Sequence, residues 1–511
     1  MPLAGRRFVV AGSGPIADEC AELLRLLEGD VVHVGRATAG LAAVGAEGAI
    51  DATATLAAGQ PPFPVVDVAP QFDPAGAWAR SGAMALTGAP DGAPLPCPSP
   101  LLAARLVAAG SVIQLLAATT FGSALALDPL ALLGERAALT GHTRRGSISV
   151  GGACEMLPCA DGWIALNLAR PDDVALLPAW LDGEIEHASD ADGTRRAIGR
   201  RSSCDLVARG AVLGLAVGAW PDDGGDVVSP FVVDGTPAKA TRLRPASSEL
   251  PAPEGASALT DRDPLVVDMT SLWAGPLAGG LLAQAGARVV KVEGARRIDG
   301  ARRGTAQFFD LMNAGKRCIV IDFDDDDDIS LLKALIGRAA LVIEGSRPRV
   351  MDRLGIDPSA VVRGGSSWLS ITAYGRDGSD GNRIGFGDDV AVSSGLAIDG
   401  TPPLFVADAI ADPIAGLFAA VAGLACLGST RPHLVDASLS RTTHYARGPR
   451  TGQLPSRSSS ITAAPPRARP SRGFAEPAGA STDEILAGLL PDAWRARRAK
   501  MQSPRSGEGD L

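Results

Sequence analysis

The sequence predicts an α/β protein made of two related lobes, each built on a parallel β-sheet. In the first half, β-branched runs at 8–11 and 31–34 enclose a helix-compatible stretch, and runs at 265–268 and 289–292 do the same in the second half. Strand, helix and strand at this length form a βαβ unit. Continuous Val and Ile runs are typical of parallel strands covered on both faces. The recurrence of the unit indicates a duplicated fold.

The second half carries further elements of the same kind. Its β-branched and aromatic runs predict strands at 318–323, 339–343 and 369–373, with a helix at 329–336. Five consecutive acids, at 324–328, directly precede this helix. Acids at the start of a helix complement its dipole, whereas a metal ion would need further oxygen ligands around it. The acids are therefore interpreted as a helix start, and no metal site is predicted.

A second sign of duplication lies in the stretches 81–110 and 394–423. Each begins with a Ser-Gly pair, passes through turn residues to a proline, and continues into an Ala-rich helix. The two stretches align without a gap at an offset of 313 residues, from Ser81 and Ser394 to Pro100 and Pro413. Directly before the shared proline, the first copy has Ser99 and the second has Asp412. A carboxylate at the start of such a helix can carry chemistry, while a serine can be only a cap. The pattern predicts one active and one silent copy.

Bulk properties exclude several classes of protein. A chain of 511 residues is expected to form two or more domains. Its net charge of −9 argues against nucleic-acid binding. Seven cysteines without CxxC pairs favour reduced thiols in a cytoplasmic protein. The apolar stretch 101–127 contains Arg105 and Gln114, so we predict a buried helix and no membrane partner.

Composition also predicts the domain boundaries. A Pro-, Ser- and Glu-rich run separates the halves, and an Arg-, Pro- and Ser-rich region follows the second half. The predicted organisation is a first lobe at 1–245, a linker at 246–262, a second lobe at 263–445 and a largely disordered tail at 446–511. A short amphipathic helix is expected within the tail at 482–498.

Basic residues concentrate in the second half near predicted strand ends. They are Lys291, Arg296, Arg297, Arg302, Arg303, Lys316, Arg317, Arg347, Arg349 and Arg353. Ligands of open α/β sheets bind beyond the carboxyl ends of the strands. The group therefore predicts a pocket for an anionic ligand, with a solvated surface as the alternative.

Six blocks of the second half resemble, in order, the class III CoA-transferases of the CaiB/BaiF type. This family includes formyl-CoA transferase, carnitine CoA-transferase and α-methylacyl-CoA racemase. The blocks lie at 266–294, 308–323, 341–356, 369–397, 411–424 and 435–439. The resemblance implies a Rossmann-like parallel sheet core and makes the second lobe the CoA-binding, catalytic one.

The resemblance also implies roles for particular residues. Asp412 matches the family's catalytic aspartate, which attacks an acyl-CoA thioester and forms covalent intermediates. Residues expected to contact CoA are Leu272, Trp273, Ala274, Lys291, Lys316 and Arg353. Trp273 stands where family transferases carry a glutamine, which is a departure from the family pattern.

The first half resembles a different part of the same family. The segment 145–168 is similar to the glycine loop and the start of the small domain, which makes the first lobe a degenerate copy carrying these parts. Gly151 and Gly152 are then expected to shield the catalytic aspartate from water and to offer N–H groups to an oxyanion. An ordinary hairpin turn before a strand at 163–168 is the alternative. Because only the second half carries the aspartate, we hypothesise one site assembled from both halves.

The implied function is transfer of CoA from an acyl-CoA donor to a small carboxylic acid through an aspartyl covalent intermediate. CoA is substrate here, and no permanently bound cofactor is expected. The protein would be a homodimer or a pseudo-dimeric monomer. One alternative is an acyl-CoA racemase or isomerase, although the segment 385–389 lacks the racemase histidine and would need Asp388 or Asp389 as the second base. Another is a catalytically inactive CoA-binding protein.

Overall fold

The computed structural model describes residues 1–34, 46–51, 63–69, 71–220, 227–237, 264–450 and 461–502. Its strands are β1 (Arg7–Ala11), β2 (Asp30–Val34), β3 (Gly48–Asp51), β4 (Val65–Asp67), β5 (Cys154–Cys159), β6 (Gly162–Asn167), β7 (Ala216–Trp220), β8 (Val232–Val233), β9 (Thr236–Pro237), β10 (Leu265–Met269), β11 (Arg288–Gly294), β12 (Arg317–Ile321), β13 (Leu341–Glu344), β14 (Ser367–Ser370) and β15 (Leu434–Asp436).

The helices alternate with these strands. They are α1 (Pro15–Leu26), α2 (Pro74–Arg80), α3 (Pro100–Phe121), α4 (Glu135–Thr140), α5 (Pro171–Ala175), α6 (Leu177–Trp180), α7 (Ala191–Gly199), α8 (Ser203–Leu213), α9 (Ala274–Ala285), α10 (Ala306–Asn313), α11 (Asp326–Ile336), α12 (Pro348–Arg353), α13 (Pro358–Arg363), α14 (Gly387–Ser393), α15 (Ala411–Leu427), α16 (Leu439–Arg447), α17 (Thr482–Leu489) and α18 (Pro491–Gln502). Every predicted strand is present within a few residues of its predicted ends.

Each half contains a parallel sheet in which the first strand of the half lies in the interior. The first sheet runs β2-β1-β3-β4, and the second runs β12-β11-β10-β13-β14-β15 before two short antiparallel strands, β8 and β9. In the first sheet β1 lies between β2 and β3, in the second β10 lies between β11 and β13, and all of these neighbours are parallel. The predicted α/β class with a Rossmann-like parallel sheet is confirmed.

The two stretches that resemble each other in sequence also have the same local structure. Helix α2 ends at Ser81 and helix α14 ends at Ser394. The glycine that follows has a positive φ in both cases, +88° at Gly82 and +73° at Gly395. L-residues with a side chain rarely adopt this conformation, which explains the two Ser-Gly pairs. An Ala-rich helix, α3 or α15, then follows each turn.

The Ala-rich helices bring the two halves together in one core. Helix α15 packs against both α3 and α9, and a single hydrophobic cluster includes residues from Leu3 to Ala446. Small residues permit this approach: a Cβ on Gly416 would lie 2.7 Å from the backbone oxygen of Ala274. Within the described parts of the chain, α3 is the one helix long and apolar enough to cross a membrane, and 72% of its apolar window is buried inside the protein.

A small domain, formed by β5–β7 and α5–α8, extends from the first half onto the second. Its antiparallel sheet, in the order β5-β6-β7, packs against α14. Asn167 Nδ2 donates to Asp389 Oδ1 at 2.9 Å. A Cβ on Gly218 would lie 2.3 Å from the backbone oxygen of Asp389, so this contact requires glycine. The predicted strand at 163–168 is β6, and it docks against the second half.

One predicted domain boundary differs from the structure. Strands β8 and β9, assigned to the first lobe, belong to the sheet of the second half, where β8 pairs antiparallel with β15. Two-residue strands leave no hydrophobic period in a sequence, which is why the boundary at 245 was misplaced. The predicted linker at 246–262 lies outside the described residues.

The predicted disorder of the tail is wrong for residues 461–502. The backbone N–H of Ala464 donates to the oxygen of Ala79 at 2.8 Å, and that of Ser481 donates to the oxygen of Cys318 at 3.0 Å. The segment thus contacts both halves before it ends in α17 and α18, which cover the predicted helix at 482–498. Its order comes from hydrogen bonds and proline contacts that follow no hydrophobic period.

Candidate active site

Asp412 is the second residue of α15 and lies at the end of a strained loop. Two non-glycine residues just before it, Ala407 and Ala409, have positive φ values of 53° and 43°. A Cβ on Gly387 would lie 2.5 Å from Asp412 Oδ2, and the Gly387 N–H hydrogen-bonds this carboxylate. Backbone strain of this kind is concentrated at functional sites. The fold holds the Asp412 carboxyl group in one defined position.

Burial makes this carboxyl group unusually hard to ionise. Removal from water raises the pKa of Asp412 to about 7; the positive charge of Arg136 lowers this pKa, and the neighbouring Asp388 raises it. A carboxylate that is poorly solvated and ionises near neutral pH is a better nucleophile than a solvated one. Asp412 therefore suits attack on an activated acyl group.

Two further carboxyl groups, those of Asp388 and Asp408, act on Asp412, and Asp389 follows Asp388 in the chain. Asp388 accepts from the Ala409 N–H at 3.0 Å, and burial raises the pKa of Asp388 to about 6. Burial also raises the pKa of Asp389 to about 7, and this group accepts from Asn167. Asp408 is completely buried. From the sequence, Asp388 and Asp389 were predicted only as alternative bases, and Asp408, which no motif marks, was not predicted.

One arginine of the first half faces this acidic group. Arg136, on α4, makes a bidentate pair with Asp408, with Nε 2.9 Å from Oδ2. Its guanidinium carbon lies 4.9 Å from the centre of the Trp273 ring, which in turn packs edge-on against Phe308 at 5.0 Å. Sequence analysis missed Arg136, because its partner Asp408 lies 272 residues away in the chain.

The structure brings the predicted glycine loop to the same place. A Cβ on Gly151 would lie 3.1 Å from Arg136 Nη2, and Gly152 has a φ of +83° that favours glycine. The hydroxyl of Ser149, in the same loop, hydrogen-bonds Asp388. The loop of the first half and the carboxyl groups of the second half therefore form one surface.

The residues 272–274, which follow β10 and are expected to contact CoA, form a first-turn segment with an unusual backbone. Leu272 has a φ of +73°, is 45% exposed, and donates its N–H to Asp299 Oδ1 at 3.1 Å. Trp273 is buried and its indole Nε1 has no hydrogen-bond partner among the described residues. Ala274 begins α9 and packs against α15. The segment therefore connects the surface at Leu272 with Arg136 beside Asp412.

The two predicted lysines are both buried and paired with acids. Lys316 Nζ is buried and donates to Asp268 Oδ2 at 2.8 Å, to the oxygen of Pro276 at 2.8 Å and to Asn313 Oδ1 at 3.0 Å. Lys291 Nζ is buried against the Thr270 oxygen and Asp299 Oδ2. The expected contacts of the two ammonium groups with CoA therefore stay a prediction, which these buried ion pairs do not favour. These strand-adjacent lysines neutralise buried acids.

A cleft of about 480 Å³ lies between the small domain and the second half. It is lined by five arginines, Arg170, Arg297, Arg303, Arg347 and Arg349. Burial lowers the pKa of Arg347, and the neighbouring Arg349 lowers it further. Of the five, only Arg170 has an ion-pair partner among the described residues. Four of the five belong to the basic group found in the sequence, and Arg170 was missed.

The remaining predicted positions can now be placed. Arg353, at the end of α12, is exposed and does not line the cleft. The acids at 324–328 begin α11, where Asp325 accepts from the Asp328 N–H at 3.0 Å. Within the described ranges, no group of three or more His, Cys, Asp or Glu side chains could hold a metal ion.

The site runs from the arginine cleft to Asp412. Gly300 lies beside both Leu272 and Arg303: a Cβ at this position would be 3.5 Å from Leu272 Cδ2 and 3.7 Å from Arg303 Nη2. The cleft and the first-turn segment are therefore neighbours. From there Trp273 leads to Arg136 and Asp412. A ligand with a polyanionic head and an extended arm fits such a path, with its reactive end at a buried carboxylate.

Comparison with known proteins gives a family for this part of the chain. Residues 262–453 match the model of "CoA-transferase family III". A probable fatty acyl-CoA transferase of Mycobacterium tuberculosis is 33% identical over 26% of this chain and 36% of its own length. The succinyl-CoA–D-citramalate CoA-transferase of Chloroflexus aurantiacus is 29% identical over 32% of this chain and 44% of its own length.

The match covers only part of each protein. The chain spans less than half the length of these two curated relatives. A solved structure of a CaiB/BaiF family protein from Brucella suis is 26% identical, covering 35% of this chain and 53% of that one with a TM-score of 0.33. The sequence match thus makes residues 262–453 of this chain similar to CoA-transferase family III.

Proposed function

We propose that the chain is a CoA-transferase that moves CoA from an acyl-CoA donor to a carboxylic acid, with Asp412 as nucleophile. The observation that carries the proposal is the buried Asp412 carboxyl group, fixed by Gly387 and faced by groups of both halves. The curated relatives named above are CoA-transferases by name, which supports the reaction class. The acyl group and the acceptor acid remain open in this proposal.

The proposed reaction needs a carboxylate and no metal ligand from the chain. An Asp412 oxygen attacks the thioester carbonyl and the C–S bond breaks. CoA leaves as thiolate, and the donor acyl group and Asp412 are joined in a mixed anhydride. The thiolate then attacks the Asp412 carbonyl carbon, which releases the donor acid and leaves an aspartyl-CoA thioester. The acceptor carboxylate attacks this thioester, and the returning thiolate takes the acceptor acyl group and frees Asp412. Each step exchanges one acyl bond, so atoms and charge balance.

The surroundings of Asp412 support this chemistry. Anhydrides and thioesters are lost to water unless the site excludes it. The glycine loop at Gly151 and the ring of Trp273 lie on two sides of Arg136. Both thus border the region where the intermediate would form. We propose that one chain carries a complete site, because its two halves supply the loop and the nucleophile.

We propose that the arginine cleft binds the phosphate groups of CoA. Arginine pairs with phosphate through several parallel hydrogen bonds. The cleft offers Arg297, Arg303, Arg347 and Arg349 without ion-pair partners among the described side chains. The Leu272–Trp273 segment would then accompany the pantetheine arm toward Asp412. The general test is to incubate the protein with acyl-CoA and a panel of acids and to detect new acyl-CoA products by mass spectrometry.

Substitution of both Arg347 and Arg349 by alanine is expected to raise KM for acyl-CoA by roughly a hundredfold or more, because charged hydrogen bonds contribute about 1.5–3 kcal/mol each. The value of kcat should change little, since both side chains lie away from Asp412. Acyl-pantetheine, which lacks the nucleotide, should react equally well with the unmodified protein and with the double variant. Steady-state kinetics with the two donors measures this difference.

Arg353→Ala is the matched control for these variants. Arg353 lies on the same helix but outside the cleft, so its loss should leave KM for acyl-CoA near the normal value. If Arg353→Ala raised KM and the double variant did not, the phosphate site would lie at the position implied by the sequence resemblance instead of in the cleft.

A further inference from the structure

We propose that Arg136 is a positioning residue, contributed by the first half of the chain, which sets the charge balance around Asp412 and is anchored by Asp408. The inference rests on the function proposed above and deepens it. It gives the first half a second task besides carrying the glycine loop. No resemblance or motif assigns a role to either residue.

The position of Arg136 is fixed from several sides. Its Nε and Nη2 donate to the two oxygens of Asp408, which lies in the strained loop before α15. The Trp273 ring lies 4.9 Å from the guanidinium carbon on another side. The neighbouring Glu135 is buried and faces Arg469 of the C-terminal tail, with 3.5 Å between Nε and Oε1. The arginine therefore has little freedom to leave the carboxyl groups.

The charges around Asp412 come from three elements. Arg136 on α4 lowers the pKa of Asp412, whereas Asp388 on α14 and Asp408 in the loop both raise it. The charge of Asp388 also raises the pKa of its neighbour Asp389. One cation thus faces several acids in a poorly solvated site, where each charge has a large effect. Arg136 offsets part of the repulsion that would otherwise keep Asp412 protonated.

This arrangement predicts opposite effects for the two members of the pair. Arg136→Met removes the cation, so the pKa of Asp412 should rise and the acidic limb of the kcat profile should move up by about one pH unit or more. Asp408→Asn removes an acid and leaves Arg136 to act on Asp412, so the same limb should move to lower pH. Arg136→Lys keeps the charge, so the acidic limb of its kcat profile should lie closer to that of the unmodified protein.

A readout independent of turnover separates this inference from the proposed function. In protein labelled with ¹³C at aspartate carboxyl carbons, the Asp412 signal is assigned by its loss in Asp412→Asn, and its titration is followed in each variant. Opposite shifts of the Asp412 midpoint are expected. Coinciding midpoints, or shifts in the same direction for Arg136→Met and Asp408→Asn, would overturn the inference. Opposite shifts in a protein that transfers no CoA would refute only the proposed function.

Discussion

Replacement of Asp412 by asparagine is expected to lower the rate of CoA transfer by a factor on the order of 10³ or more, because loss of a covalent nucleophile removes the reaction path itself. The amide is similar in shape to the carboxyl group and can still accept from Gly387, so the fold should be retained. Initial rates of product formation from acyl-CoA and an acid measure the loss.

Trapping adds a direct test of the covalent intermediate. Hydroxylamine added after acyl-CoA should convert the aspartyl adduct of the unmodified protein into a hydroxamate on Asp412, detected by peptide mass spectrometry. Ser99→Ala is the matched control, since Ser99 stands at the equivalent position of the first half. Its hydroxyl donates to the backbone oxygen of Arg447 at 2.5 Å. Full activity of Asp412→Asn would show that another residue is the nucleophile.

Substitution of Lys316 by methionine is expected to lower the free energy of unfolding by about 3–5 kcal/mol, the usual cost of breaking a buried ion pair from one side. The change leaves the carboxyl group of Asp268, which is completely buried, without its 2.8 Å partner. The ammonium group also holds the oxygens of Pro276 and Asn313. Urea unfolding followed by circular dichroism measures the difference.

Lys333→Met provides the control for this prediction. Lys333 lies on the exposed side of α11, where a substitution usually changes stability by no more than about 0.5 kcal/mol. The double variant Lys316→Met/Asp268→Asn should recover part of the lost stability, because the unpaired charge is gone. A Lys316→Met protein with normal stability but a raised KM for acyl-CoA would instead favour the contact between Lys316 and CoA that the resemblance implies.

The sequence predicted the parts of the fold that follow local chemistry. Runs of Val and Ile marked the parallel strands, since such strands are buried on both faces and show no alternation. The turns at Gly82 and Gly395 were recognisable because a positive φ selects glycine. The acids before α11 were interpreted correctly from the helix dipole alone.

The missing parts depend on partners that are distant in the chain. The sequence alone does not distinguish a lysine that binds phosphate from one that neutralises a buried acid, so the ion pairs of Lys291 and Lys316 were not predicted. The pair of Arg136 and Asp408 spans 272 residues and leaves no spacing to recognise. The packed tail at 461–502 was missed because hydrogen bonds between irregular segments have no periodic pattern.

The strand β8 has a consequence for the order of events during synthesis. Its partner β15 is made long afterwards: Asp234 accepts a hydrogen bond from the N–H of Leu434, 200 residues further along the chain. At about 5–20 residues per second, the ribosome needs roughly 10–40 s to cover that interval. During this time β8 can pair only with β9, the short strand that follows it. The sheet of the second half can therefore be completed only after the chain has been made as far as β15.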